Sequence, residues 1–300
     1  MDNEPQGKRI TIKEAVVNLE TLRNSTIISY IGAQSSLIDP SDAPMLVDTI
    51  EGVLPETGKI KKLDLFLHSP GGFLDSAYKL VRIFKEYSEE FNVIVPFAAK
   101  SAATVICLGA NEIVMTSLAE LGPIDPIIQH PYKPEVRVPA RAIKDFFSFL
   151  NTTETEERIK VDQSVKNQMA NSLDAYLIGS YHSALQSSKQ IARMLLSEGA
   201  LKNRPDRLED TVNKFTEYYY SHGFVIDRQT ARTLGLNVSN AEDNKSLSAA
   251  IRQLFMIYQM FMMDNKIMKV IGNRELNRNV PIPPQQTSSP TPPASVNLKF

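Results

Sequence analysis

A single cysteine, Cys107, stands in 300 residues. One thiol can neither close an internal disulfide nor build a cysteine zinc site, so the core alone must hold the fold, and the composition suits a reducing compartment. Cys107 lies within an apolar run and reads as part of that core. Net charge is also nearly absent, with 33 lysines and arginines against 34 aspartates and glutamates. No global field therefore points to nucleic acid or to an anionic membrane, and any partner is chosen locally. Long apolar runs are missing too: no window reaches the about 18 consecutive apolar residues that mark a membrane-spanning helix. The opening MDNEPQGKRITIKEAV holds no apolar segment of the kind a secretory signal needs. No HExxH or comparable ligand spacing occurs, so neither a metal nor a cofactor is expected.

What is present suffices for a folded body, since 42% of the residues are hydrophobic. Strand-like runs occur at TIISYIG (26–32), LDLFLHS (63–69), NVIVPF (92–97) and EIVM (112–115). Helical stretches separate them: DPSDAPMLVDTIEGV, then LDSAYKLVRIFKEYSEEF with Leu74, Ala77, Leu80, Val81 and Phe84 at helical spacing, then SAATVICLGA. Alternation at a pitch of roughly 30 residues argues for right-handed crossovers around a mostly parallel sheet. From about residue 140 the pattern turns mainly helical, in PARAIKDFFSFL, in 161–198 and in RLEDTVNKFTEYYY, before an extended turn and short helix at GFVIDRQTARTLGL. The segment LSAAIRQLFMIYQMFMMDNKIMKVIG (247–272) is broken by Arg252, Gln253, Gln259, Asp264 and Lys266 and reads as one amphipathic helix. Its methionine-rich face could pack on the body, join subunits or rest on a membrane surface. The expected organisation is an N-terminal segment (1–24), an α/β domain (25–240), the amphipathic helix (241–275) and a disordered tail rich in proline, serine and threonine (276–300).

Two loops stand out, because ligands in open sheets gather at the carboxyl ends of the strands. In FAAKSAAT, Ser101 falls at the start of a helix, where free N–H groups favour developing negative charge, although serine is also a common N-cap. In HSPGGFLDSA, Gly71 and Gly72 let backbone N–H groups approach a ligand closely, although a Pro-Gly-Gly turn can be merely a turn. Together, Gly72 and Ala102 could supply a two-donor oxyanion hole beside the Ser101 hydroxyl. Gly71 and His68, on the same loop, are candidates for the substrate-binding wall.

The runs LDLFLHSPGGFLDSAYKL and VIVPFAAKSAATVICLGANEIVMTSLAELGPIDP resemble the serine peptidase branch of the Clp protease and crotonase superfamily. Within that branch the chain is similar to the serine dehydrogenase proteinase family, whose members are signal-peptide-peptidase-like. The resemblance covers residues 26–130 and resumes at YYYSHGFVIDRQTARTLGL (218–236). It implies a Clp/crotonase-like α/β core of repeated β-β-α units around a parallel sheet, followed by a mainly helical C-terminal part. It further implies a serine peptidase acting on a peptide or protein, with Ser101 as nucleophile, Gly72 and Ala102 as oxyanion hole, and a homo-oligomeric assembly. Neutral charge and the lack of a spanning helix favour the cytoplasm, while relatives in this group are often attached to membranes.

The resemblance leaves the base open. Where Clp peptidases carry their histidine, this chain reads GPIDPII, with Asp125 in place of a histidine. Signal-peptide peptidases use a lysine further along, where Lys144 falls, although Arg141 or Ala142 could occupy that register. His222, in SHGF, is the alternative, with Asp125 orienting it in a triad whose members have exchanged segments. Lys100, next to Ser101, reads as pocket rim or surface. Two other activities remain possible for such a fold: a crotonase-type reaction on an acyl thioester, which would not require a serine at 101, and a scaffold that has lost its base.

Overall fold

The computed structural model describes residues 10–130, 133–151, 162–171 and 175–283. The chain begins with α1 (Ile12–Arg23), started by a capping box between Thr11 and Glu14 and ended by Asn24 at φ 48°. Next come β1 (Thr26–Gly32), α2 (Asp42–Glu51), β2 (Ile60–His68), α3 (Leu74–Tyr87), β3 (Ser88–Val95), β4 (Ala98–Ala99), α4 (Ala102–Leu108) and β5 (Glu112–Met115). Two short strands, β6 (Glu120–Leu121) and β7 (Ile127–His130), lead to β8 (Lys133–Pro139) and α5 (Arg141–Asn151). The helical part holds α6 (Gln163–Asn171), α7 (Ala175–Glu198) and α8 (Pro205–Asn213), with a π-helical turn over Lys214–Tyr218. The last elements are α9 (Arg228–Thr233), β9 (Val238–Asn240), α10 (Lys245–Asn265), β10 (Ile267–Gly272) and β11 (Asn277–Pro281).

Seven strands make the central sheet, in the order β11-β10-β1-β2-β3-β5-β9. The five from β1 to β9 run parallel, while β10 and β11 pair antiparallel along the flank of β1. Successive side chains on a strand point to opposite faces, and both faces are apolar, as a sheet covered on both sides requires. Ile28, Tyr30, Leu65, Leu67, Val93 and Val95 join one core with α2, α3, α4 and α7. Ile27, Ile31, Phe66, Ile94 and Val114 join a second core with α1 and α10. The fold is thus an α/β arrangement around a mostly parallel sheet, as the alternation of strands and helices in the sequence implies. Cys107 is buried in α4, and that burial pushes its thiol far above the usual range.

Several boundaries differ from the sequence expectation. Residues 88–91, read as the end of a helix, open β3 instead, because the chain straightens after Tyr87. The helix expected over 247–272 stops at Asn265: Lys266 turns left-handed at φ 52°, and IMKVIG returns as β10 beside β1. On α10, Ile251, Leu254, Tyr258 and Met262 are buried against the sheet, while Met256, Met260 and Met263 stay exposed. Residues 277–281, assigned to the tail, form β11; residues 284–300 of that tail and residues 1–9 lie outside the described residues. Among the described residues, no helix is long and apolar enough to cross a membrane.

Candidate active site

β2 ends at His68, and its continuation, Ser69, pairs with Ala99: the Ser69 N–H donates to Ala98 O at 3.0 Å and the Lys100 N–H to Ser69 O at 3.0 Å. This pairing sets the two loops side by side. Gly71 and Gly72 adopt φ of 116° and 155°. Both need to be glycine, since a Cβ on Gly72 would come within 2.3 Å of the Ile38 backbone and one on Gly71 within 2.8 Å of Ser101 Cβ. Ile38 straps the loop from outside, its N–H donating to Gly71 O and its carbonyl accepting from Phe73 N–H, both at 2.8 Å. The strap is anchored in turn by buried Lys269, whose Nζ meets Asp39 at 2.9 Å and Asp42 at 2.6 Å.

Ser101 sits at φ 53° and ψ −120°, a conformation that costs a non-glycine residue about 1–3 kcal/mol and persists only where its surroundings enforce it. The side chain makes no capping bond to α4, which removes the N-cap explanation for this serine. Among the described residues, the N–H groups of Gly72 and Ala102 have no hydrogen-bond partner. Gly72, Ser101 and Ala102 open on one cleft of about 560 Å³, whose wall includes Leu37, Phe73 and Ile127. His222 lines the same cleft.

The histidine reaches the cleft on a turn, in which Phe224 N–H donates to Ser221 O at 3.0 Å. Its Nδ1 lies 2.8 Å from Oδ1 of Asp125, and Asp125 is only 3% exposed. A carboxylate accepts, so this contact suits a proton on Nδ1 and leaves Nε2 as the ring nitrogen not engaged by Asp125. Ser101 and His222 thus line one cleft, and Asp125 binds that histidine from behind the cleft wall, although the three come from separate segments. Among the described residues no hydrogen bond joins the Ser101 hydroxyl to the ring.

The other sequence candidates are placed differently. Gly71 packs behind Ser101 and shapes its turn, and it is not part of the cleft wall. His68 faces the opposite side of the sheet. Its ring lies edge-on to Phe97 and Phe255 with Nδ1 at 3.0 Å from Ala98 O, and burial pulls its pKa down. The reason is strand parity, which puts His68 on the same face as Phe66. Lys144 lines a separate cavity of about 510 Å³ with His182, and its Nζ is paired with Glu217 at 3.0 Å. Lys100 is not a rim residue: its Nζ turns inward to Glu120 and to the carbonyls of Leu121, Gly223 and Phe224. Sequence reasoning missed Ile38 and Lys269, which carry no local signal of contact with the glycine loop. Among the described residues no three histidine, cysteine, aspartate or glutamate side chains converge to hold a metal ion.

A family model described as ClpP-like SDH-type serine proteinase matches residues 5–280. Two uncharacterized proteins of Methanocaldococcus jannaschii are similar. One is 26% identical over 230 residues, spanning 73% of this chain and 70% of the relative. The other is 24% identical over 228 residues, spanning 74% and 69%. Among solved structures, a point mutant of the membrane-bound stomatin-specific protease 1510-N aligns with a TM-score of 0.41 at 16% identity, over 71% of this chain and 79% of that one.

Proposed function

This chain belongs to the ClpP-like SDH-type serine proteinases, and we propose that it hydrolyses peptide bonds through an acyl-enzyme on Ser101. His222 Nε2 takes the proton from the Ser101 hydroxyl as Oγ attacks the carbonyl carbon, while Asp125 fixes the tautomer and steadies the imidazolium. Charge moving to the carbonyl oxygen meets the N–H groups of Gly72 and Ala102, an arrangement in which each donor is worth about 10²–10³ in rate. The imidazolium then protonates the leaving amine, and a water activated by the same nitrogen releases the acid.

One observation carries the reading: a serine in a strained turn, with no capping role, shares a cleft with a histidine whose second nitrogen is bound to a buried aspartate. Lys144 does not share that cleft, which favours His222 as the base. The test is covalent labelling by a fluorophosphonate. The native chain is expected to label, and Ser101→Ala to remain unlabelled. A native chain that does not label would instead mark a scaffold, and acyl-thioester turnover surviving in Ser101→Ala would mark a crotonase-type activity.

A further inference from the structure

Lys100 spends its charge in an unusual place. The side chain is only 17% exposed, and its stem runs over Gly122, where a Cβ would press on it at 3.2 Å. The ammonium ends 3.0 Å from Phe224 O, 3.4 Å from Gly223 O, 3.3 Å from Leu121 O and 3.1 Å from Glu120 Oε1. An ammonium is costly to withdraw from water unless its three protons find acceptors, and here two of those acceptors are the carbonyls that directly follow His222. An apolar side chain of the same length could fill the space but could not hold those carbonyls. The backbone of Lys100 is fixed as well, its N–H on Ser69 O and its carbonyl accepting from Ala103 N–H at 2.9 Å.

We propose that Lys100 is a positioning residue that sets the reach between base and nucleophile. Its main chain carries Ser101, and its ammonium holds the turn that presents His222. The proposal rests on the reading of Ser101 and His222 given above. Asp125 fixes which way the ring faces, Lys100 fixes where the turn stands, and the Leu121–Ile226 pair, with N···O distances of 2.9 and 3.0 Å, ties down the chain beyond it. A displacement of even 1 Å in such an arrangement costs about 10²-fold in rate.

The test uses hydrolysis of p-nitrophenyl butyrate and the rate of fluorophosphonate labelling in the full chain. Lys100→Met is expected to lower kcat by about 10- to 100-fold with KM within about twofold, because the cleft wall is untouched. In a His222→Ala background the same change should cost less than about twofold, since a residue acting through the histidine has nothing left to position. Native kcat in Lys100→Met, or an equal loss with and without His222, overturns the proposal. Should Lys100→Met lose its thermal transition, Gly122→Ala, which crowds the lysine stem, carries the test: a smaller fall in kcat that again vanishes with His222→Ala supports it, and native kcat overturns it. A native chain that neither labels nor turns over ester overturns the reading of Ser101 itself, and the two failures are thereby distinct.

Discussion

The turn that holds Ser101 and the turn that holds His222 face one cleft, but they are built in opposite ways. Around Ser101 everything is packed: Gly71 lies against it, the residues of α4 that follow are all buried, and the flanking main chain is paired to Ser69. A backbone conformation that costs energy can persist there because its neighbours leave it no alternative. Around His222 the chain is open. Ser221, Gly223, Phe224 and Val225 are exposed, and Tyr220 is 88% exposed. This turn is held by individual contacts, to Asp125, to Lys100 and through the stacking of Phe224 on Tyr219. The difference teaches where adjustment resides. The serine turn is fixed by packing, whereas the histidine turn rests on a few directed contacts, so under the proposed mechanism any tightening of the serine–histidine distance falls to the histidine turn.

Substitutions can break or sharpen this contrast. The largest effect belongs to Ser101→Ala, expected to lower hydrolysis on the order of 10³- to 10⁶-fold with an unchanged melting temperature or a raised one, since alanine removes the nucleophile and leaves the packing. His222→Ala should cost on the order of 10²- to 10⁴-fold in kcat with little change in stability, as measured by steady-state kinetics and thermal melts. One glycine packed against the serine turn and one within the histidine turn then give a matched pair. Gly71→Ala forces a Cβ to 2.8 Å from Ser101 at φ 116° and is expected to destabilise by about 1–3 kcal/mol in urea unfolding. Gly223→Ala, whose nearest neighbour would be Ser221 Oγ at 3.6 Å, should stay within about 0.5 kcal/mol. Equal costs at the two glycines would erase the contrast. Lys144→Ala, half exposed beside Glu217, should leave kcat within about twofold.

A pH experiment separates both turns from the body. At the amino edge of β5, burial alone would raise the Glu112 carboxyl, but hydrogen bonds from Ser239 and Arg23 and the Arg23 charge hold it below the usual carboxylate range. A group depressed in the folded state stabilises above its unfolded pKa, about 4.3 for glutamate, and loses that contribution as pH falls through the folded value. Glu112→Gln should therefore unfold at a lower urea midpoint near neutral pH and show a shallower loss of stability on acidification.

How far the sequence disclosed this molecule follows from what local pattern can encode. Strands were legible at 26–32, 63–69, 92–97 and 112–115 as apolar runs closed by glycine, proline or polar residues, while the polar starts of the second and third, at 60–62 and 88–91, were not. Ser101, Gly72, His222 and Asp125 drew attention because each sits at a break in an otherwise regular pattern. The face taken by His68 could have been read from its parity with Phe66. The reversal at Lys266 could not, since apolar residues continue at helical spacing through it and a single left-handed residue decides the outcome. Lys144 was misplaced because an amphipathic pattern does not say which neighbour a helix face meets. The contacts of Lys100 depend on carbonyls more than 120 positions away, which no short window contains.

The flank of β1 has a consequence for synthesis. Residues 26–32 leave the ribosome well before the strand that seals their outer side, 267–272. Throughout that interval the nascent chain exposes an uncapped row of amides and carbonyls, the kind of border that recruits foreign strands. Fragments ending before Ile267 are therefore expected to aggregate where the full chain does not, as light scattering of the two would show.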